Sequence, residues 1–367
     1  MRIDGVDLWI VTIPHPEPVT WAGVVESSAQ SVLLRVRTDA GPSGLAQARL
    51  HPAWSGTTPR LTAQALHELY TPLVLGANPL AAQRIQAAID RVRGWSPAKS
   101  LLECALTDLR ARLAGLPLRT YLGGWSDEAR VAAVVTRGPA GQRVDELGKA
   151  VARYGFTAVK VKIGTDVHQD IALVHEIRAT FGPEPEIRVD ANSGYSLADA
   201  LFAADAFAEA GVAHFEDPCP LEPPAARREV FRRSRVPVLA DRVVDSEASA
   251  RRVIADGASA VSVKVQRVGF GTANRIRQVC EDENVPAVTG LSGEAVIGAL
   301  AGLQLHAAYR HFTTLPAEES YFAALPHDVV SCVPEIRDGK IVLPDAPGLG
   351  VELDPEALAA FGVRYPG

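Results

Sequence analysis

From about residue 130 onward, short runs of β-branched residues alternate with Ala-rich stretches whose apolar positions recur at helical spacing. This is the pattern of repeated βα units around a parallel sheet. The runs predict strands at 131–136, 157–162, 186–190, 212–216, 237–240, 260–265 and 285–289, with an indistinct eighth within 307–315. Their ends recur about every 25 residues, as expected of units that each cross a helix and return. An open, doubly wound sheet would gather its chemistry at one crevice, whereas here each run ends at or beside a polar or charged residue, so a closed barrel is expected. Before residue 125 the pattern differs. Strand-like runs at 7–13 and 31–37 are followed by helical stretches at 61–73, 80–92 and 100–113, which reads as a separate α+β unit. The tail, 341–343 followed by Pro344, Pro347, Gly348 and Gly350, is turn-rich and is expected to pack back on that first unit. The expected division is 1–125, 126–322 and 323–367.

Composition narrows the function classes. The chain has 367 residues, 47% hydrophobic and 22% charged, enough for a large core and typical of globular proteins. The net charge is −6, with no block of five like charges, which argues against a nucleic-acid partner and against an anionic membrane surface. Cys104, Cys219, Cys280 and Cys332 form no metal-binding spacing and read as reduced thiols of a cytoplasmic protein. No export signal is visible, and no run of eighteen apolar residues lacks a charge. A small-molecule partner is expected. Of 37 basic residues only six are Lys, at 99, 149, 160, 162, 264 and 340. Arg stays protonated near neutral pH whereas a desolvated Lys need not, so the retained lysines point to sites that need a neutral amine.

Side chains alternate along a strand. With Val159, Val161 and Ile163 outward under helices, Lys160 and Lys162 face the barrel interior, where mutual repulsion and burial should bring at least one toward neutrality as a base. The same alternation puts Asp190, Glu216 and Asp241 at the ends of three consecutive strands. Three such carboxylates form a hard oxygen set that repels itself without a cation and suits Mg2+ better than Zn2+. On the next strand Ser262, Lys264 and Gln266 share the inward face. Amines therefore flank the acids on both sides.

The ordered set Lys160-Val-Lys162, Asp190-Ala-Asn192, Glu216-Asp-Pro218, Ala240-Asp241 and Val263-Lys264 resembles the enolase superfamily, specifically its muconate-lactonizing-enzyme subgroup. The N-terminal segment is similar to that family's capping domain through Ala98-Lys99-Ser100, Asp108-Leu109 and Tyr121-Leu-Gly-Gly124, and the tail 344–353 resembles its usual ending. The resemblance implies an α/β fold, a (β/α)7β modified TIM barrel with an N-terminal α+β capping domain completed by the C-terminal tail. It implies Mg2+ on Asp190, Glu216 and Asp241, and abstraction of the proton next to a substrate carboxylate to give an enediolate. It implies Lys162 as base on one face, Lys264 as acid or base on the other, and Lys160 lowering the pKa of Lys162 and binding the carboxylate. The mandelate-racemase subgroup uses a seventh-strand His, and none lies between His214 and His306. One departure is Arg242, where the family commonly has Glu directly after the third metal ligand.

Two lysines on opposite faces permit racemisation or epimerisation, and equally syn elimination or cycloisomerisation. In the family, substrate selection lies in capping loops and late strand ends, here Trp21, His51, Trp54, Asn192, Ser292, Glu294, Glu318 and Glu319. Glu318 or Glu319 could pair a cationic nitrogen under the tryptophan rings. The leading expectation is therefore racemisation or epimerisation of an amino-acid derivative, such as a proline betaine or N-acyl amino acid. The alternatives are a lyase or cycloisomerase resembling hydroxyproline dehydratase, o-succinylbenzoate synthase or muconate cycloisomerase, and a non-catalytic binder of metal or ligand. The expected partners are a small-molecule carboxylate and further copies of the chain. Gly269-Phe-Gly271-Thr-Ala-Asn274 resembles the start of a dinucleotide loop, but Asn replaces its third Gly and an ordinary βα turn accounts for it.

Overall fold

The apolar alternation at the N-terminus builds a long antiparallel hairpin, Ile3–Trp21 against Val24–Thr38, in the computed structural model, which describes residues 1–21 and 23–366. Both strands outrun the expected 7–13 and 31–37. The ladder absorbs Pro14, Pro16 and Pro18 by shifting register between Pro14 and Val19, where residues without an N–H donor cost no sheet hydrogen bond. Ser43–Arg49 pairs with the second strand and Gly362–Arg364 of the tail with the first, completing a four-stranded sheet. Helix Ser96–Leu113 lies against this sheet. Gly44 permits the approach, since a Cβ there would sit 2.0 Å from the Ala105 carbonyl oxygen.

Asp108 on that helix is fully buried and ties three segments together. Its carboxylate accepts from Leu45 N (2.8 Å), Leu349 N (2.6 Å) and Arg112 Nε (3.0 Å). The tail is thus anchored to the N-terminal helix and sheet through one side chain.

Seven parallel strands follow in unbroken sequential order: Ala133–Val135, Ala158–Lys162, Glu186–Asp190, His214–Glu216, Val238–Ala240, Ala260–Val263 and Ala287–Thr289. Each is followed by a helix, and no helix among the described residues is long and apolar enough to cross a membrane. The eighth position lies later than expected. Residues 307–308 end the helix Val296–Ala308 and Phe312–Thr314 is a 3-10 turn. Ala317 and Glu318 close the barrel instead, Ala317 bonding the residues just before the first strand through Ala317 N to Arg130 O and Ala132 N to Ala317 O (2.8 Å each), and Glu318 the seventh strand through its N–H to Thr289 O (2.9 Å). A segment of so few ladder bonds, starting at Pro316, carries no alternating pattern to read.

The dinucleotide-like glycines have a structural explanation. Gly269 sits at φ +75° in a kink within Val265–Asp282, and the N–H groups of Phe270 (2.8 Å) and Gly271 (3.2 Å) donate to the Glu103 carboxylate. A side-chain carboxylate from the N-terminal unit thus occupies the place at a helix N-terminus where a phosphate could bind.

Inside and outside of the barrel follow the alternation. Val159, Val161, Ile187, Val189, Phe215 and Val261 are buried outward beneath the helices, while Lys160, Lys162, Arg188, Asp190, Glu216 and Ser262 occupy alternate positions and are also buried. Such an interior stacks charges where many barrels stack branched apolar residues.

Asp108→Ala should lower stability by about 3 kcal/mol, because two buried backbone N–H groups and a guanidinium lose their acceptor together. Urea unfolding checks this. Asp108→Asn, which keeps an acceptor oxygen, should lose less.

Candidate active site

Strand pairing brings the chemistry to one rim. Lys162 is the direct register partner of Asp190, and Asp190 of Glu216. Asp241 follows the end of the fifth strand and Lys264 the end of the sixth. Lysines on the second and sixth of eight staves stand across the barrel from each other, with the three acids on the staves between.

Lys160 is 1% exposed and nearly encircled by carboxylates. Its Nζ lies 2.6 Å from Glu216 Oε2, 2.6 Å from Glu318 Oε2 and 3.1 Å from Asp190 Oδ2. Burial alone would lower its pKa, but Glu216, Glu318 and Asp190 outweigh burial and hold it well above the ordinary lysine value. Lys162 goes the other way. Burial, with the nearby charges of Lys160 and Lys264, carries it below the ordinary value against the pull of Asp190 2.6 Å away. The lysine pair is therefore split as repulsion demands, one member locked as an ammonium and the other eased toward the free amine.

The acids do not form a ready-made cage. Among the described residues no three acid, His or Cys side chains are arranged to hold a metal ion; each acid instead turns an oxygen to a cation: Asp190 to Lys162, Glu216 to Lys160, and Asp241 to Lys264 at 2.7 Å, with Arg267 on its other oxygen at 2.9 Å. Their chemistry nonetheless fits a hard divalent cation. Burial and then the like charges of Asp190, Glu318 and Asp241 push Glu216 well above the usual carboxylate range despite Lys160. Among the described residues Glu216 Oε1 is buried without a hydrogen-bond partner, as is Asn192 Oδ1. A crowded carboxylate with an unused oxygen is what a bound dication relieves.

Asp217, which immediately follows Glu216, is a supporting residue that strand alternation did not single out. It adopts φ +38°, is fully buried, and accepts from the backbone N–H groups of Asp241 and Arg242 at 3.0 Å each. It thereby sets where both of those side chains leave the backbone. The loop after Lys162 is held similarly: Asp170 accepts from Gly164 N (2.8 Å), Thr165 N (3.2 Å) and Tyr195 OH (2.6 Å).

Above the lysines opens a cavity of about 280 Å3 walled by both units of the chain. Lys162, Lys264, Asp241 and Asn192 form its barrel side, and Trp21, Trp54 and Ser292 its outer wall. The other expected substrate residues lie elsewhere. His51 caps the short helix Pro52–Ser55 through Nδ1 and stacks on Trp54 with ring centroids 4.6 Å apart. Glu294 is buried and accepts from Ser292 N at 2.7 Å. Glu318 serves Lys160, and Glu319 is buried against Glu294, where desolvation and that second carboxyl keep it well above the usual carboxylate range. Neither Glu318 nor Glu319 lines the cavity. The face of Trp21 is likewise taken, by the Arg49 guanidinium 4.1 Å from the ring centroid, with Arg49 also bound to Glu26 and to Ser292 O. The acids and rings expected to receive a cationic nitrogen are thus committed within the protein. Arg49 and Arg267 are cavity residues that the sequence did not single out. Arg267 lies three positions past Lys264, a signal that helical spacing carries. Arg49 ends a strand of the other sheet and offers no local signal.

The comparisons with known proteins agree with this geometry. The profile of the mandelate racemase / muconate lactonizing enzyme N-terminal domain matches residues 6–123, and that of the enolase C-terminal domain-like proteins matches residues 142–357. The chain is 27% identical to the hydrophobic dipeptide epimerase of Enterococcus faecalis over 332 residues, 88% of this chain and 91% of that protein. It is 26% identical to the L-Ala-D/L-Glu epimerase of Bacillus subtilis over 358 residues, 96% and 97% of the two chains. The crystal structure of muconate lactonizing enzyme from Mycobacterium smegmatis complexed with muconolactone superposes with a TM-score of 0.95 at 28% identity, covering 99% of this chain and all of that one. Members of this superfamily use a divalent metal, typically Mg2+. With both halves matched and the lysines and acids on the expected staves, the chain belongs to the mandelate racemase / muconate lactonizing enzyme family of the enolase superfamily, as an enzyme of the muconate-lactonizing subgroup.

Proposed function

We propose that the protein racemises or epimerises the carbon next to the carboxylate of a small N-acylated amino acid, with Mg2+ on Asp190, Glu216 and Asp241. The observation that carries this reading is that Lys162 and Lys264 line one cavity from opposite staves of the barrel. Inversion needs one group to take a proton from one face and another to return one to the opposite face, and that pair supplies both. Lys162, eased toward the free amine, takes the α-proton. The electron pair moves into the carboxylate, giving an enediolate. The ammonium of Lys264, held by Asp241, returns a proton on the far side, and the lysines exchange roles for the reverse reaction. Mg2+ held by those three acids would supply positive charge to offset that of the developing dianion. Lys160 keeps its full charge beneath the site and adds to that stabilisation. An N-acyl group fits better than a betaine, because Glu318 and Glu319, the acids that would meet a quaternary nitrogen, do not line the cavity. Elimination or cycloisomerisation is the second reading. It is favoured by the close superposition on the muconolactone complex and would need one lysine alone as proton carrier.

Incubated with Mg2+ and N-acyl amino acids in D2O, the protein should exchange the α-proton and invert the centre. Lys162→Met should lose exchange for one enantiomer and Lys264→Met for the other, each by about a thousandfold, within the range usual for a positioned acid or base. A variant pair in which Lys264→Met leaves inversion intact would exclude the two-base reading in favour of the one-base alternative. A chelator should abolish exchange and added Mg2+ restore it. Turnover that persists in excess chelator would remove the metal from the proposal.

A further inference from the structure

Two carboxyl side chains behind the cavity wall have no part in the proton transfer. Glu294 follows the seventh strand and Glu319 belongs to the closing segment; they are 2% and 1% exposed and in contact with each other. Glycines on the helix Val296–Ala308 make room for them one turn apart. A Cβ on Gly298 would sit 2.8 Å from Glu294 Cγ, and one on Gly302 would sit 2.4 Å from Glu319 Oε1. Among the described residues Glu294 Oε1 and Glu319 Oε1 are both buried without a hydrogen-bond partner.

The charges that face the pair are committed elsewhere. Lys264 bonds Asp241, Arg49 of the N-terminal sheet bonds Glu26 and Ser292 O, and Glu318 bonds Lys160. On the helix itself His306 bonds the Thr289 hydroxyl and is pushed down to about 3 by burial, so it is neutral, while Asp328 accepts from Val296 N at the helix start. Two buried carboxylates in contact repel and have no hydrogen to share, so one of them keeps a proton. Burial raises the pKa of Glu294, but its carboxyl accepts from Ser292 N at 2.7 Å, a bond that favours the anion. Glu319 is the member that desolvation, Glu294 and Glu318 hold well above the usual carboxylate range against Lys264.

We propose that Glu319 is a positioning residue: a neutral carboxylic acid at neutral pH, it donates its hydrogen to Glu294 and so bridges the closing segment to the loop after the seventh strand. The bridge reaches the cavity through Glu294. Glu294 Oε2 fixes Ser292 N, Ser292 O receives Arg49, and Leu291, Ser292, Gly293 and Arg49 are all wall residues. The role rests on the reading under Proposed function only in taking this cavity as the place where substrate binds. Once Glu319 ionises, two like charges share a site without water and the wall loses its support. Because the folded protein holds a proton that the unfolded chain releases, stability falls as pH rises from the ordinary carboxylate range through the ionisation of Glu319.

Glu319→Gln keeps a donor of the same shape that cannot ionise, and Glu319→Ala removes it. Infrared difference spectra at neutral pH should show the carbonyl stretch of a protonated carboxylic acid that the wild type has and Glu319→Gln lacks. In urea unfolding from about pH 6 to about pH 9 the wild type should lose stability relative to Glu319→Gln as pH rises, a trend that a merely structural side chain would not give. Hydrogen exchange at the Ser292 amide, read by NMR, should be at least about tenfold faster in Glu319→Ala and within about threefold of the wild type in Glu319→Gln. In α-proton exchange Glu319→Ala should raise KM about tenfold with kcat within about threefold, and Glu319→Gln should recover the loss. A wild type without that carbonyl band, a stability gap that does not widen with pH, or a Ser292 amide indifferent to Glu319→Ala overturns the inference; the first two need only the Gln variant. The first three measurements need no turnover. A protein that passes them and exchanges no α-proton therefore counts against the proposed reaction alone, and one that exchanges it but fails them counts against Glu319 alone.

Discussion

A lysine ammonium removed from water must be surrounded by negative charge, because stripping its hydration costs several kcal/mol that packing cannot return. Lys160, 1% exposed inside the barrel, meets this condition with Glu216, Glu318 and Asp190. Much of the site follows from that cluster. Glu216 belongs to the fourth stave and Asp190 to the third, while Glu318 belongs to the closing segment. The ion cluster therefore spans the barrel and couples its closure to the placement of the acids. It also leaves one ammonium permanently beside Lys162, which is why burial can favour the free amine at one lysine and not at its neighbour.

Around this base the protein is built in two grades of order. The reactive groups stand on staves and on backbone fixed by buried carboxylates, Asp217 beneath Asp241 and Asp170 behind the Lys162 loop. The outer wall is borrowed from the N-terminal unit, through Trp21, Arg49 and Trp54. Arg49 joins the two by reaching Ser292 O while stacking on Trp21. Gly293 makes room for that contact: at φ +81°, a Cβ on it would meet Arg49 Nη1 at 2.2 Å and Trp21 at 2.4 Å. The inner and outer walls of the cavity thus come from different parts of the chain, a rigid barrel and a second surface closing over it.

Much of the site was legible because strand alternation is a strict rule. Once Val159 and Val161 face the helices, Lys160 and Lys162 can face nowhere but inward, and the same holds for Asp190 beside Val189 and Glu216 beside Phe215. The rule weakens where local pattern is absent. The closing stave at Ala317 and Glu318 is too short to alternate, and the hairpin strands run on past the expected 7–13 and 31–37 through a register shift at the prolines. Loop residues were harder still. His51, Glu294 and Glu318 had suitable chemistry and suitable sequence positions, but a cap, a backbone N–H and a buried lysine claim them.

The sequence by itself determined the order of the barrel units, the inward face of each strand and the identity of the lysines and acids that share it, because these are properties of spacing and polarity along a single element. Tertiary structure alone decided which charges pair. That Lys160 takes three carboxylates, that Arg49 covers Trp21 and that Glu103 fills the helix end at Gly269 are all matters of distance between segments far apart in the chain. Electrostatic pairing falls off over a few ångströms of space, and no separation along the sequence measures that.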